Sequence, residues 1–171
     1  MYVPRHFEND SADTLRHLIG DNALGTLVTE IDGTLEATHV PCILDPLRGR
    51  HSTLRFHLAA ANPICSVLDG GREILMIFTG PQTYISPDWY ATQQQVPTWN
   101  YTAVHAYGKP TQLSDPALCD LLDALSTINE SQLPKKAWTT DKVTKKLYEK
   151  MRKAIRGYHM PISRMQGKWK M

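Results

Sequence analysis

The sequence is poor in cysteine. Cys42, Cys65 and Cys119 are its only three, far apart and without a CxxC pair. An odd, scattered set excludes a disulfide scaffold and a structural zinc site, and it points to a reducing cytoplasm. Long apolar runs are missing as well. None approaches the ~18 residues that a membrane span requires, and MYVPRHFEND has no apolar core of a secretion signal, so neither insertion nor export is expected. There is no P-loop, no GxGxxG after a strand, no GxSxG elbow and no HExxH, which removes the commonest nucleotide, serine-hydrolase and zinc-protease chemistries. The seven histidines are scattered without the paired spacing of a metal site.

The remaining composition is that of a globular chain. Of 171 residues, 42% are hydrophobic and 21% charged, which suits one domain over 1–171. The net charge of +2 hides an asymmetry. From residue 134 onward there are 12 Lys/Arg against 2 Asp/Glu, and before it 7 against 15. Two such parts can attract each other within a fold or across a dimer, or the basic part can present one face to an anionic partner such as nucleic acid.

Local patterns divide the chain into a β body with helices before and after it. Asp10 and Ser11 are N-cap candidates for a short helix carrying Leu15, Leu18 and Ile19, with Gly20 as its stop. Two strand-like runs flank Asp32-Gly33, a hairpin signal, and Pro46 to Gly49 marks another turn. TLRFHL (53–58) alternates, with Leu54, Phe56 and Leu58 on one face and Thr53, Arg55 and His57 on the other. ILMIF (74–78) reads as a strand buried on both faces. Three prolines make 80–98 a long loop, after which WNYTAVHAYGK returns to strand composition. The last third, about 114–157, reads as helical and basic, packed on the body. Ser114-Asp-Pro opens one helix, and Asp141 opens another with Val143, Leu147, Met151 and Ile155 every four positions, ended by Gly157. YHMPISRMQGKWKM closes the chain as a strand or tail. The class is α+β, a barrel of mainly antiparallel strands with flanking helices.

Two features carry potential chemistry. Arg55 and His57 share one strand face ahead of Asn62-Pro63 and could hold a phosphate, or simply form the wet side of a half-buried strand. His39 follows the alternation of Leu35, Ala37 and Ile43, as a core histidine would. Five of the 14 aromatics (Tyr84, Trp89, Tyr90, Trp99, Tyr101) fall within 84–101, beside Asn100. Such a segment suits the wall of a flat heteroaromatic site or a dimer interface equally. Cys42 and Cys65 read as small core residues, since nothing local activates them.

Longer strings are more specific. MYVPRHF, GTLVT (25–29), ATHVP (37–41), HLAAANP (57–63), GPQTYISPDWY (80–90), VPTWNYTAVHAYGK (96–109) and GKWKM (167–171) together resemble PaiB-type FMN-binding negative transcriptional regulators of bacteria, from the first residue to the last. The resemblance implies a homodimeric split β-barrel similar to pyridoxamine 5′-phosphate oxidase, with FMN at the subunit interface, and gene repression as its role. It implies that His39, Val40 and Pro41 lie along the flavin phosphate and ring edge. It also implies that Arg55, His57, Leu58, Ala59 and Asn62 lie near the phosphate or ribityl chain. Asn100 would offer an amide to the ring between Trp99 and Tyr101, and Lys168 would reach the phosphate. Ala60 departs from the pattern, standing where similar chains carry a basic residue. Pro63-Ile64-Cys65 replaces PQW, and the tail after GKWKM is absent. A small FMN-dependent oxidoreductase of flavin reductase or oxidase type is the alternative function, and DNA contact through the basic third is the partner implied by repression.

Overall fold

A computed structural model describes residues 1–45 and 51–171. The anticipated turn at 46–49 lies outside the described residues. The chain opens with a 3-10 turn at Arg5–Phe7, strand β1 (Glu8–Asn9) and helix α1 (Ala12–Asp21). Ser11 caps α1, its hydroxyl accepting from the Thr14 amide at 3.4 Å, and Leu15, Leu18 and Ile19 are buried. The helix runs through Gly20 to Asp21, because its C-cap is formed by Asn22 rather than by a left-handed glycine.

Strands β2 (Leu24–Ile31) and β3 (Thr34–Asp45) form the hairpin expected at Asp32-Gly33. Both turn residues have positive φ, 49° and 82°, the geometry whose twist matches two antiparallel strands. β4 (Thr53–Ala59) buries Leu54, Phe56 and Leu58 as its alternation predicts. Helix α2 (Ile64–Asp69) follows, started by the Asn62 side chain, which accepts from the Ile64 amide at 2.9 Å.

β5 (Ile74–Ile85) corrects two expectations. Ile74, Met76 and Phe78 are buried, but Leu75 and Ile77 are only half-buried, so the run has one core face and not two. The strand also continues past Pro81 to Ile85, because the register shift between Thr79 and Gln82 takes up Gly80-Pro81 as a bulge. A Cβ on Gly80 would lie 2.3 Å from Thr102 Oγ1, so only glycine allows this close passage. The irregular segment is thereby reduced to 86–97, with a 3-10 turn at Pro87–Trp89, before β6 (Thr98–Gly108).

β7 (Thr111–Gln112) and helix α3 (Asp115–Glu130) come next, α3 burying Leu118, Leu121 and Leu125. Helix α4 spans Lys145–Lys153, capped by Thr144 and not by Asp141, since Val143 is extended. None of its residues is buried. Gly157 does not end a helix; it lies inside β8 (Ile155–Lys170), where an added Cβ would meet Leu118 and Leu113.

All pairings are antiparallel, in the order β1-β8-β4-β3-β2-β5-β6. β8 closes the circuit: its first half pairs with β4 and its second half with β6. Phe56, Phe78, Leu27, Met76, Val104, Tyr158 and Met160 fill the barrel together with the apolar face of α1. Phe56 and Tyr158 stack with centroids 5.7 Å apart.

Candidate functional site

The barrel's outer surface over β2, β3, β5 and β6 mixes apolar and polar side chains. Cross-strand register aligns His39, Thr26, Ile77, His105 and Gln166 in one row and Ala37, Val28, Leu75, Tyr107 and Arg164 in the next. These side chains are half-buried or exposed, and Leu24 and Leu35 at the margin are 66% and 76% exposed. His39 is therefore a surface histidine and not a core one; Thr26 Oγ1 lies 3.0 Å from its Nδ1. Val40 points inward and is buried, and Pro41 is half-buried. The Arg164 guanidinium lies 3.6 Å over the Tyr107 ring, and the Tyr107 hydroxyl donates to Gln166 Oε1. His105 Nδ1 is buried without a partner, and burial, reinforced by the N-terminal ammonium, lowers its pKa.

At one end of this surface lies a cationic, aromatic corner. Lys168 is 9% exposed, yet none of the described ion pairs includes it. Its ammonium donates to the Tyr2 carbonyl at 3.2 Å and lies 5.3 Å from the Tyr101 ring and 5.8 Å from that of Tyr2. Lys170 donates to the Trp99 carbonyl at 2.7 Å, and Trp99 packs edge-on against Tyr84. Asn100 opens with Thr83, Tyr101, Thr102 and Trp169 onto a cleft of about 490 Å³ beside α1, and Trp99 does not line it. The cleft also holds a signal the sequence does not carry: Thr102 Oγ1 is buried there without a partner.

A second corner forms where β4 ends. Pairing of β3 with β4 stops at Cys42–Phe56, while β4 continues along β8 to Ala59–Ile155. His39–Pro41 and His57–Ala59 thus belong to strands that have parted. Arg55 is spent on Asp45, its Nε 2.7 Å from the carboxylate. His57 faces the helical layer and not the parted strands; burial lowers its pKa, and its Nδ1 has no partner. Leu58 belongs to the core, Ala59 is exposed, and the Asn62 oxygen is committed to α2. The Ala60 amide donates to the Ala154 carbonyl, and a hollow of about 300 Å³ beside Ala60 gathers Arg152, Lys153 and Arg156. Cys42 is buried and its thiol is pushed up to about 12, so it is no nucleophile.

Ala59 pairs with Ile155 and Tyr101 with Lys170, at opposite ends of the 16-residue β8.

The closed antiparallel sheet with flanking helices is a split barrel, the fold class of flavin-binding proteins of this type. The chain belongs to the family described as "Putative FMN-binding domain", whose model matches residues 1–164. It is 33% identical over 172 residues to Protease synthase and sporulation protein PAI 2 of Bacillus subtilis, covering 100% of this chain and 81% of that protein. An uncharacterised protein of Emericella nidulans is 30% identical over 210 residues, covering 100% and 84%, so the matches extend beyond bacteria to fungi. Among solved structures, the flavocytochrome Anf3 of Azotobacter vinelandii aligns with TM-score 0.68 at 15% identity, covering 99% of this chain and 73% of that one. A FAD- and heme-binding protein of Mycobacterium smegmatis gives 0.67 at 17%, with coverage of 95% and 73%. At such identities the two structures establish the fold alone.

The cofactor is FMN. The residues present fit it chemically. Its phosphate, with a charge of about −1.5 to −2 near neutrality, suits an enclosed ammonium that no carboxylate neutralises, and Tyr2, Tyr101 and Trp99 offer apolar surface for a flat ring. Among the described residues, no helix is long and apolar enough to cross a membrane.

Proposed function

We propose that this protein is a cytoplasmic, flavin-linked transcriptional repressor that works as a homodimer with FMN at the subunit interface. The separation of the two corners along β8 carries the interface reading. A second copy seated on the half-buried outer surface would bring the Lys168–Tyr101 corner of one chain to the parted strands of the other. There His39, Val40 and Pro41, with the backbone of Leu58, Ala59 and Asn62, would line the cofactor, and Lys168 would hold its phosphate. FMN, once bound, supplies redox chemistry, and the chain's own residues bind it, orient it and keep water from it.

The regulatory part of the reading rests on charge placement and on kinship with the sporulation protein. α4 is a surface helix whose Lys145, Lys146, Lys150 and Lys153 are all exposed. A lysine face of this kind contacts phosphate backbones in a salt-dependent way. The test is a mobility-shift titration of the FMN-loaded protein on the DNA upstream of its own gene against scrambled DNA at physiological salt. Repression requires at least tenfold preference for its own site. Equal affinity for both sequences, with steady NAD(P)H oxidation by the same preparation, would replace the repressor by a small FMN-dependent oxidoreductase.

A further inference from the structure

An amphipathic helix normally buries its apolar stripe. α4 does not. Leu147 and Met151 are 45% and 62% exposed, and no residue of the helix is buried. Met151 instead lines, with Val143 and Ile155, a hollow of about 350 Å³ roofed by the segment around Trp138 and floored by His57 of β4. Tyr148 contributes a second ring to the wall, and Trp138 is tethered by its amide, which donates to Glu130 Oε2 at 2.7 Å.

Two polar groups give this hollow a direction. His57 lines it, and burial keeps its imidazole neutral near neutral pH, able to donate or accept one hydrogen bond. Arg152 lines both this hollow and the one beside Ala60, its side chain 16% exposed and its Nη1 2.7 Å from Asp115 Oδ2. Asp123 also lines the hollow, so a bare inorganic anion gains little net attraction there. Recognition has to combine an apolar body with one anionic group.

We infer that the space between β4, α3 and α4 is a binding site for a small aromatic carboxylate, distinct from the flavin site. The rings of Trp138 and Tyr148 and the Met151 thioether receive the flat body. His57 hydrogen-bonds to its edge, and Arg152 takes the carboxylate. Because the ligand completes the apolar contact that α4 lacks, binding fastens the lysine-bearing helix to the barrel. A volume near 350 Å³ falls at the small end of ligand pockets, which suits one or two fused rings.

The test uses the full-length, FMN-loaded protein and 2-naphthoate as probe, with the neutral 2-naphthamide as control, followed by calorimetry and tryptophan fluorescence. Saturable naphthoate binding with a Kd below about 1 mM is expected, at least fivefold tighter than naphthamide. Met151→Trp, which fills the hollow from an exposed position, should weaken naphthoate at least tenfold without changing flavin retention. Arg152→Met should abolish the preference over naphthamide. Absence of saturable binding overturns the inference, as does a Met151→Trp protein that binds naphthoate as tightly as the parent. A naphthoate-induced shift of the flavin spectrum that persists in Met151→Trp would put the ligand at the cofactor and overturn it equally. If Arg152→Met does not fold, Met151→Trp alone decides.

Discussion

Replacing Lys168 by Met separates the cost of holding a buried charge from its use. Lys168 is 9% exposed, its ammonium donates to one main-chain carbonyl and lies near two rings, and no carboxylate is among its described partners. Losing that hydrogen bond costs about 0.5–1.5 kcal/mol and losing the ring contacts about 1 kcal/mol. Removing an enclosed, uncompensated charge returns a comparable amount, and methionine keeps most of the aliphatic stem packing. The apo protein should therefore change its Tm by no more than about 4 °C. FMN binding has no such compensation. A charge-assisted hydrogen bond to phosphate is worth about 1.5–3 kcal/mol, so the Kd for FMN should rise roughly 10- to 150-fold. Titration by flavin fluorescence quenching measures the Kd, differential scanning fluorimetry measures the apo Tm, and Lys168→Arg should restore most of the affinity. An FMN Kd within about threefold of the parent would refute the assignment of Lys168 to the phosphate.

Val28→Asp puts a charge in the middle of the half-buried outer row; light scattering should show the mass falling from twice 19.3 kDa to 19.3 kDa, with loss of retained FMN. Gly167→Ala would set a Cβ 2.2 Å from Leu15 Cδ2 and 2.5 Å from the Asn9 carbonyl, displacing α1 or β1. A loss of about 1–3 kcal/mol by chemical denaturation is expected, with weaker FMN binding because Lys168 is its neighbour. Stability should also fall on acidification. His57 and His105 have pKa values lowered by burial from 6.5, so the unfolded chain binds their protons first. Their contribution is fully present above about pH 7 and is lost as pH falls through 6.5 toward their folded values. His57→Phe should flatten that part of the profile, as read from urea midpoints at pH 5, 6 and 7.

Elements governed by neighbouring residues were readable from the sequence. Ser11 marks the start of α1, because a cap needs only the next turn. Asp32-Gly33 marks the hairpin, because its two left-handed residues are a local requirement. The alternation of 53–58 states which face of β4 enters the core. The family strings likewise carried the FMN cofactor and the split barrel, though not by any periodicity.

What depends on contacts between distant segments had to wait for the tertiary structure. Pro81 looked like the start of a loop, since nothing local announces that a bulge at Gly80 would fit against Thr102 and let β5 go on. His39 fitted an apolar alternation, but which face of β3 is outward is set by the barrel's closure and not by β3. Asn100 and Tyr101 meet Thr14 and His17 of α1 at one cleft, a neighbourhood that β6's own residues do not announce. Lys168 meets Tyr2 across 166 residues, and Arg152 and Lys153 of α4 with Arg156 of β8 come to line a hollow beside Ala60 from more than 90 positions away. Composition and spacing thus determined the local elements and the class. The closure of the barrel by β8 alone decided which side chains share a site, because pairing partners and register are properties of the whole sheet.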